Sequence, residues 1–183
     1  MFKKFFPNDY ISSVYDVDFS TLYNTGFRLL LFDIDNTLVP HNAPADDKAC
    51  AFFTHLRQIG YTCIFLSNNG EKRVKEFCET VNGNGYYYKC LKPKAEYYLR
   101  AMTDYGFNKN NTLFFGDQIF TDVLGAKNAD IKSIMVRPVK KWAEEPQIIL
   151  KRLLEAIVLA FYIPHRKRNG ADYIIPIKNK PRL

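Results

Sequence analysis

Acidic side chains follow two apolar runs. "LLLFDIDNT" places Asp33 and Asp35 after four apolar residues, and "TLFFGDQIFTD" places Asp117 and Asp122 after another run. Ionised carboxylates are costly beside a buried strand unless they are paired or bind a metal. Asp33 and Asp35, two apart on an extended chain, start on one face, where their repulsion is unfavourable without a cation. Because Mg²⁺ prefers a few carboxylates with water and a phosphate oxygen, these acids predict a magnesium site.

A hydroxyl and an amine follow other apolar runs. "IFLSN" ends in Ser67 and Asn68, Thr37 follows the first acid pair, and Lys92 follows "YYYKC". A serine hydroxyl donates to an oxyanion, a lysine neutralises one, and Thr37 with nearby backbone N–H groups can hold another. With a divalent cation these groups stabilise a transferred phosphoryl group. One carboxylate can attack phosphorus while another moves the proton, so the residues predict phosphoester hydrolysis.

Strands and helices alternate around these residues. The predicted strands cover residues 29–34, 61–67, 86–90, 112–117 and 131–138. The predicted helices cover residues 44–60, 71–81, 93–106 and 120–129, with Pro93 at the first position of the third. Such alternation predicts an α/β fold with a doubly wound, mostly parallel sheet. Ligands bind beyond the carboxyl ends of such strands, so the polar residues are expected to converge there.

Each of these residues also has an ordinary structural explanation. A strand-end Asp or Ser commonly caps a helix or forms a turn, and a lysine such as Lys92 is commonly solvated. Their coincidence at one edge of the sheet favours a site. The three histidines show no partner pattern and are interpreted as structural; they are His41, His55 and His165.

Four segments resemble the motifs of the haloacid dehalogenase (HAD) superfamily of phosphohydrolases, in the same order. They are "DIDNT" (33–37), "LSNN" (66–69), "KP" (92–93) and "GDQIFTD" (116–122). The resemblance covers about residues 27–138 and implies a Rossmann-like core. It implies that Asp33 is the nucleophile, that Asp35 is the general acid/base with its backbone carbonyl on Mg²⁺, and that Lys92 stabilises charge.

The same resemblance assigns roles to the remaining site residues. Thr37, Ser67 and Asn68 are expected near the phosphoryl group, and Asp117 is expected to ligate Mg²⁺. Asp122 is either an orienting residue or an additional ligand. An acid at position 35 is typical of the phosphatases of this superfamily.

The intervals between the motifs leave no room for a cap domain. Residues 38–66 (29 of them) separate Thr37 from Ser67, and residues 68–91 (24 of them) separate Ser67 from Lys92. One helix and one strand fill each interval, as in the capless subclass III. An uncapped site cannot enclose a small substrate by lid closure. It suits a phosphate that projects from a lipid head group, a protein or a nucleic-acid end.

The positive charge lies in the last quarter of the chain. The net charge is +7, and residues 137–183 alone contain 11 Lys+Arg against 4 Asp+Glu. This asymmetry indicates an anionic partner, a lipid surface or a nucleic acid, or else serves only solubility. The four cysteines form no CxxC pair, which is typical of reduced thiols in a cytosolic protein without a zinc site. No segment resembles a signal peptide or a membrane span.

A helix is predicted within residues 144–168. One side carries an apolar stripe, formed by Leu150, Leu153, Leu154, Ile157 and Phe161. The opposite side carries Lys151, Arg152 and Glu155, and "HRKR" (165–168) follows. The stripe either packs on the sheet or lies on anionic lipid. In the second case Arg166, Lys167 and Arg168 are expected to contact the lipid.

The segments "LLLFDIDNTLVP", "GDQIFTDVLGAKNAD" and "KKFFPNDYISSVYDV" resemble the YqeG-type branch of the superfamily, which is similar to phosphatidylglycerophosphate phosphatases. This implies a cytoplasmic, peripheral Mg²⁺-dependent phosphatase that makes phosphatidylglycerol at the membrane surface, without a nucleic-acid partner. The chain is expected to be one domain, 1–183, with a catalytic core (27–138) and a basic C-terminal helix and tail (139–183). The alternatives are a capless phosphatase for a soluble, protein or nucleic-acid phosphomonoester, and a non-catalytic basic binding module on the same fold.

Overall fold

The computed structural model describes residues 2–140, 146–168 and 174–178. Its strands are β1 (Asp9–Ile11), β2 (Leu29–Phe32), β3 (Thr62–Leu66), β4 (Gly85–Tyr87), β5 (Thr112–Gly116) and β6 (Lys132–Val136). They form one sheet in the order β1-β6-β5-β2-β3-β4, and every adjacent pair is parallel. The predicted doubly wound α/β class is confirmed. The strand order changes direction between β2 and β5, where such sheets place their ligand sites.

Helices cover both faces of the sheet. They are α1 (Phe19–Asn24), α2 (Asp47–Ile59), α3 (Glu71–Thr80), α4 (Glu96–Asp104), α5 (Leu124–Asn128) and α6 (Pro146–Arg168). Every β2 residue is fully buried, because alternate side chains enter two different cores. Leu30 and Phe32 pack in the core that contains α2 and α3, through Phe53 for example. Leu29 and Leu31 pack in the core that contains α4 and α5.

The intervals between the motifs have the predicted content. Only α2 and β3 lie between Thr37 and Ser67, and only α3 and β4 lie between Ser67 and Lys92. Residues 38–91 are all described, and they contain no cap domain. The edge of the sheet where the strands end is therefore not covered by an inserted domain.

Three helix starts differ from the prediction. The helix expected over 44–60 begins at Asp47, where Asp46 caps it by accepting the Ala49 N–H (2.8 Å). The helix expected from Pro93 begins at Glu96, because the Lys94 N–H bonds to the Leu91 carbonyl (3.0 Å) in a turn that precedes it. Pro93 follows a cis peptide bond and is not the first helical residue. The helix expected over 120–129 begins as a π-helical turn, Ile119–Val123, before α5.

Strand β1 completes the sheet beside β6, and residues from the C-terminal part of the chain contact β1. Strand β1, which no pattern predicted, pairs with β6, and its buried Asp9 accepts the backbone N–H groups of Ile174 (2.9 Å) and Ile175 (3.0 Å). Arg166 at the end of α6 also donates to Asp9 (2.6 Å). The expectation that Arg166 contacts lipid is therefore wrong, since its charge compensates a buried carboxylate. The side chains of Lys167 and Arg168 lie outside the described residues.

Helix α6 packs on the protein with the face that carries Glu155 and Val158, and not with the apolar stripe that its amphipathic pattern suggests. Val158 joins Ile119, Val123 and Met135 in a small core, and Glu155 is buried beside them. Four residues of the apolar stripe are largely exposed instead, namely Leu153 (62%), Leu154 (49%), Ile157 (52%) and Phe161 (55%). The side chain of the fifth, Leu150, lies outside the described residues. In the described parts of the chain, no helix has the length and apolar character needed to span a bilayer.

Candidate active site

Three carboxylates meet at the carboxyl edge of the sheet. Asp33 follows β2 and Asp117 follows β5, so the pairing of these two strands brings both acids together. Asp122, in the π-helical turn, supplies the third. One carboxylate oxygen from each lies within 4.8 Å of the others, and the three residues are 8%, 0% and 1% exposed. The cluster is the oxygen-rich environment expected for a hard divalent cation.

Lys92 links two of these acids. Its Nζ donates to Asp33 Oδ1 (2.6 Å) and to Asp122 Oδ1 (2.7 Å). The Asn68 side chain holds the lysine loop, since its Oδ1 accepts the Lys92 N–H (2.8 Å) and its Nδ2 donates to the Lys92 carbonyl (3.4 Å). Asn68, predicted near the phosphoryl group, thus also positions Lys92.

Asp122 is held on both oxygens. Its Oδ2 accepts the backbone N–H groups of Asp117 (3.1 Å) and Gln118 (3.0 Å), while Oδ1 binds Lys92. Gly116 permits this approach, because a Cβ at this position would lie 2.5 Å from the Asp122 Cβ. Of the two roles expected for Asp122, this arrangement favours the orienting one.

Thr37 joins the two acids at the ends of the neighbouring strands. Its hydroxyl oxygen lies 3.1 Å from Asp33 Oδ2 and 3.4 Å from Asp117 Oδ1. A hydroxyl has one proton, so it donates to one carboxylate at a time. The turn that places Thr37 there passes through Asn36, whose φ of 61° is in the left-handed region that asparagine tolerates.

Asp35 is bound by different partners from Asp33. Its oxygens accept the Asn42 N–H (2.6 Å), Asn69 Nδ2 (2.7 Å) and Arg73 Nη2 (3.2 Å). Strand β2 ends at Phe32, so the two-residue period that would place both acids on one face does not continue. Asp35 therefore lies outside the three-carboxylate cluster, although it lines the same pocket as Asp33.

The open pocket over the cluster brings most of the predicted residues together. Its lining comprises Asp33, Asp35, Asn36, His41, Ser67, Asn68, Asn69, Lys92, Gln118, Thr121 and Asp122. Ser67 is buried, and its hydroxyl accepts the Asn69 N–H (3.1 Å). His41, interpreted as structural from the sequence, stands at this pocket. No spacing pattern connects it with the motifs, so only the fold reveals its place.

Two residues of α6 contact the site, and sequence reasoning had placed them on the helix's solvent side. Arg152 forms an ion pair with Asp117 Oδ2 and donates to the Asp117 carbonyl (2.7 Å) and to Glu155 (3.0 Å). Glu155 in turn accepts the Ile119 N–H (2.6 Å). Arg152 and Glu155 together hold α6 against the loop that carries Asp117.

The charges of the site do not balance among its own side chains. Asp33, Asp117, Asp122 and Glu155 are buried, against two cations, the buried Lys92 and Arg152, whose side chain is 18% exposed. With all groups ionised, two negative charges remain among these side chains of the described residues. Uncompensated buried charge is strongly unfavourable, and a divalent cation would remove it.

The pKa values reflect the same imbalance. Burial raises the pKa of Asp33 to about 7, against the lowering effect of Lys92. Burial also raises the pKa of Asp117 well above its usual range, although Arg152 opposes this. Burial alone would lower the pKa of Lys92, but Asp122 and Asp33 outweigh it and raise that pKa well above its ordinary value. Lys92 therefore stays a cation, and the acid cluster favours a bound positive charge.

The fold and the site together define a hydrolase of the HAD type. A family model described as "HAD-hyrolase-like" matches residues 89–156, which include Lys92, Asp117 and Asp122. The chain is 33% identical over 141 residues to "Probable phosphatase YqeG" of Bacillus subtilis (strain 168), covering 76% of this chain and 81% of that protein. The chain belongs to this family of HAD-like phosphatases, which confirms the resemblance seen in the motifs.

Solved structures share the fold. An uncharacterized protein from Listeria monocytogenes serotype 4b superposes with a TM-score of 0.53 at 14% identity, over 66% of this chain and 85% of that one. A hypothetical protein from Xanthomonas campestris gives 0.52 at 15% identity, over 75% and 76%. At such identities the likeness concerns the fold alone.

Proposed function

We propose that this protein is a Mg²⁺-dependent phosphomonoester hydrolase that acts at a membrane surface on phosphatidylglycerophosphate. The chemistry is supported above all by the buried cluster of Asp33, Asp117 and Asp122, whose charge the described side chains around it compensate only in part. HAD phosphatases generally use Mg²⁺, and the cluster has the carboxylate oxygens that this ion prefers.

Asp33 and Asp117 are the residues that would hold the ion through their side chains, with the Asp35 backbone carbonyl as a further ligand. When bound, Mg²⁺ would neutralise the cluster and polarise a phosphoryl oxygen. Asp122 serves this arrangement indirectly, because its Oδ2 accepts the backbone N–H groups of Asp117 and Gln118 and so holds the loop that carries Asp117.

Hydrolysis proceeds in two steps on this chain's residues. An Asp33 oxygen attacks phosphorus and forms an aspartyl-phosphate, while the ester oxygen leaves with a proton from Asp35. A water molecule then attacks phosphorus, and Asp35 takes its proton. Inorganic phosphate leaves and the Asp33 carboxylate is regenerated. Lys92 stays charged throughout and stabilises the phosphoryl oxygens, together with Ser67.

A lipid head group is the proposed substrate because the pocket is open and exposed apolar side chains stand next to residues that line it. Residues 38–91 contain no inserted domain that could cover the pocket. A phosphate that projects from a large assembly can therefore enter it. Leu91 (58% exposed), directly before Lys92, and Val139 (48%), whose N–H bonds to the Asn36 carbonyl (2.9 Å), stand next to site residues. The basic excess of residues 137–183 suits an anionic surface.

Phosphate release tests this proposal. Vesicles that contain phosphatidylglycerophosphate would be compared with soluble phosphomonoesters, a phosphopeptide and a 5′-phosphorylated oligonucleotide, with Mg²⁺ or with EDTA. We expect release from the lipid, and none with EDTA or with Asp33→Asn. Release only from the soluble compounds would retain the chemistry and overturn the lipid substrate. No release from any compound would contradict the proposal altogether and favour a binding module.

A further inference from the structure

We propose that the outer face of α6 is the surface that docks on an anionic bilayer. This outer stripe consists of Leu153, Leu154 and Ile157, and its partner is lipid. The inference rests on the proposed function for its substrate, but it concerns a surface that takes no part in the chemistry. It assigns the contact with the membrane to particular side chains.

The stripe is exposed because the helix uses its other face to bind the protein. Glu155, Val158 and Tyr162 are 2%, 3% and 4% exposed, whereas the three stripe residues are each about half exposed or more. Neighbouring large apolar side chains left in water are unusual on a soluble protein and commonly mark a docking surface. The helix therefore has one face committed to the fold and one available to a partner.

The buried face of α6 places the active site close to whatever the stripe contacts. Arg152 binds both the carboxylate and the carbonyl of Asp117, so this helix adjoins the acid cluster directly. An α-helix with its side chains is about 10 Å thick. A helix lying in the head-group region would thus hold Asp117 roughly one helix diameter from the lipid.

Charge selects lipid over a protein partner. Lys3 and Lys4 are exposed in the 3₁₀ turn Phe2–Phe5, beside α6, because Phe6 packs against Tyr162 (ring centroids 5.5 Å apart). Residues 137–183 add 11 Lys+Arg against 4 Asp+Glu, of which Arg152, Arg166 and Glu155 are used inside the protein. Exposed apolar side chains in a region with an excess of Lys and Arg are typical of helices that bind anionic membranes in the interface plane.

Vesicle flotation with the full-length chain tests the surface without requiring catalysis. The vesicles contain phosphatidylglycerol in phosphatidylcholine, or phosphatidylcholine alone. The stripe variants are Ile157→Gln and the pair Leu154→Gln/Ile157→Gln. The matched control is Leu99→Gln, which removes an apolar side chain of similar exposure (46%) from another helix, α4. Thermal unfolding checks that each variant is folded, and Asp33→Asn reports binding without turnover.

We expect the unsubstituted protein and Asp33→Asn to float with the anionic vesicles, and less with phosphatidylcholine alone. The double stripe variant should lose at least tenfold in partitioning, and Lys3→Gln/Lys4→Gln several-fold, while Leu99→Gln keeps it. Equal binding of the stripe and control variants would overturn the proposal. So would a dimer in lipid-free solution that the stripe substitutions dissociate, since the partner would then be a second copy. Vesicle binding without release of lipid phosphate would refute the proposed substrate and leave this surface intact.

Discussion

Replacing Arg152 by glutamine is expected to destabilise the protein, because the guanidinium compensates Asp117 and Glu155. Breaking a buried ion pair costs about 3–5 kcal/mol. The Arg152 side chain is 18% exposed, so the lower end, about 3 kcal/mol, applies. For a chain of 183 residues, each kcal/mol lowers Tm by about 2–4 °C, which predicts a loss of about 6–12 °C at pH 8 in EDTA.

Thermal unfolding, followed by circular dichroism, measures this loss. Lys72→Gln is the control, because the Lys72–Glu76 pair is exposed (90% and 61%) and contributes about 0.5 kcal/mol or less. Glu155→Gln completes a double-mutant cycle. It removes a charge but keeps an oxygen that accepts the Ile119 N–H, so the double variant should recover part of the loss.

A Tm for Arg152→Gln within 2 °C of the unsubstituted protein would refute the charge imbalance inferred for the site. A double variant whose losses simply add would contradict the contact between Arg152 and Glu155.

Three further predictions concern the acid cluster. Gly116→Ala should lower the free energy of unfolding by about 1–3 kcal/mol and remove most of the activity, because the added Cβ displaces Asp122. Unfolding and phosphate release measure the two effects. The control Gly70→Ala, whose Cβ would have no atom within 4 Å, should change neither. Lys92→Met should abolish turnover while the fold persists in Mg²⁺. Phosphate release should then stop and the circular dichroism spectrum should stay unchanged. Retained turnover would contradict the role of Lys92 in stabilising the phosphoryl oxygens. The pKa of Asp33 is raised to about 7 in the folded protein, so its protonated carboxyl favours the metal-free fold at low pH. This contribution to the free energy of unfolding is lost as pH rises through 7. The Tm gain caused by Mg²⁺ should therefore grow from pH 5 to pH 8. A gain that is constant or falls with pH would contradict this.

The positions of Asp33 and Asp117 in the acid cluster could be predicted because they depend on strands alone. "LLLF" is a continuous apolar run since both faces of β2 are covered, and Asp33 and Asp117 end strands that pair with each other. Parallel pairing then brings the two residues to one edge, whichever helices intervene. Lys92 was predictable for the same reason, since its loop follows β4.

The contacts of α6 could not be predicted in the same way. Its strongest periodic signal is the apolar stripe, and periodicity alone assigns such a stripe to the interior. The helix instead packs beside a polar loop, where Arg152 and Glu155 satisfy a carboxylate and a backbone N–H. That preference arises from residues 30 or more positions distant in the sequence, so only the fold reveals it. Asp35 does not share one face with Asp33 as the sequence suggested, and the reason is local. Strand β2 ends at Phe32, so the two-residue period of an extended chain does not reach Asp35.

The most direct test of the account is to locate the phosphoryl group during turnover. Protein would be mixed with Mg²⁺ and an aryl phosphomonoester, whose leaving oxygen departs without a proton from Asp35, then quenched in acid, digested and examined by mass spectrometry. Asp35→Asn is included because it then slows hydrolysis of the intermediate more than its formation. We predict one hydroxylamine-labile phosphoryl group on the peptide that contains Asp33, absent in Asp33→Asn and more abundant in Asp35→Asn. Steady phosphate release with no phosphorylated Asp33 at any quench time, or a phosphoryl group on another residue, would contradict the account.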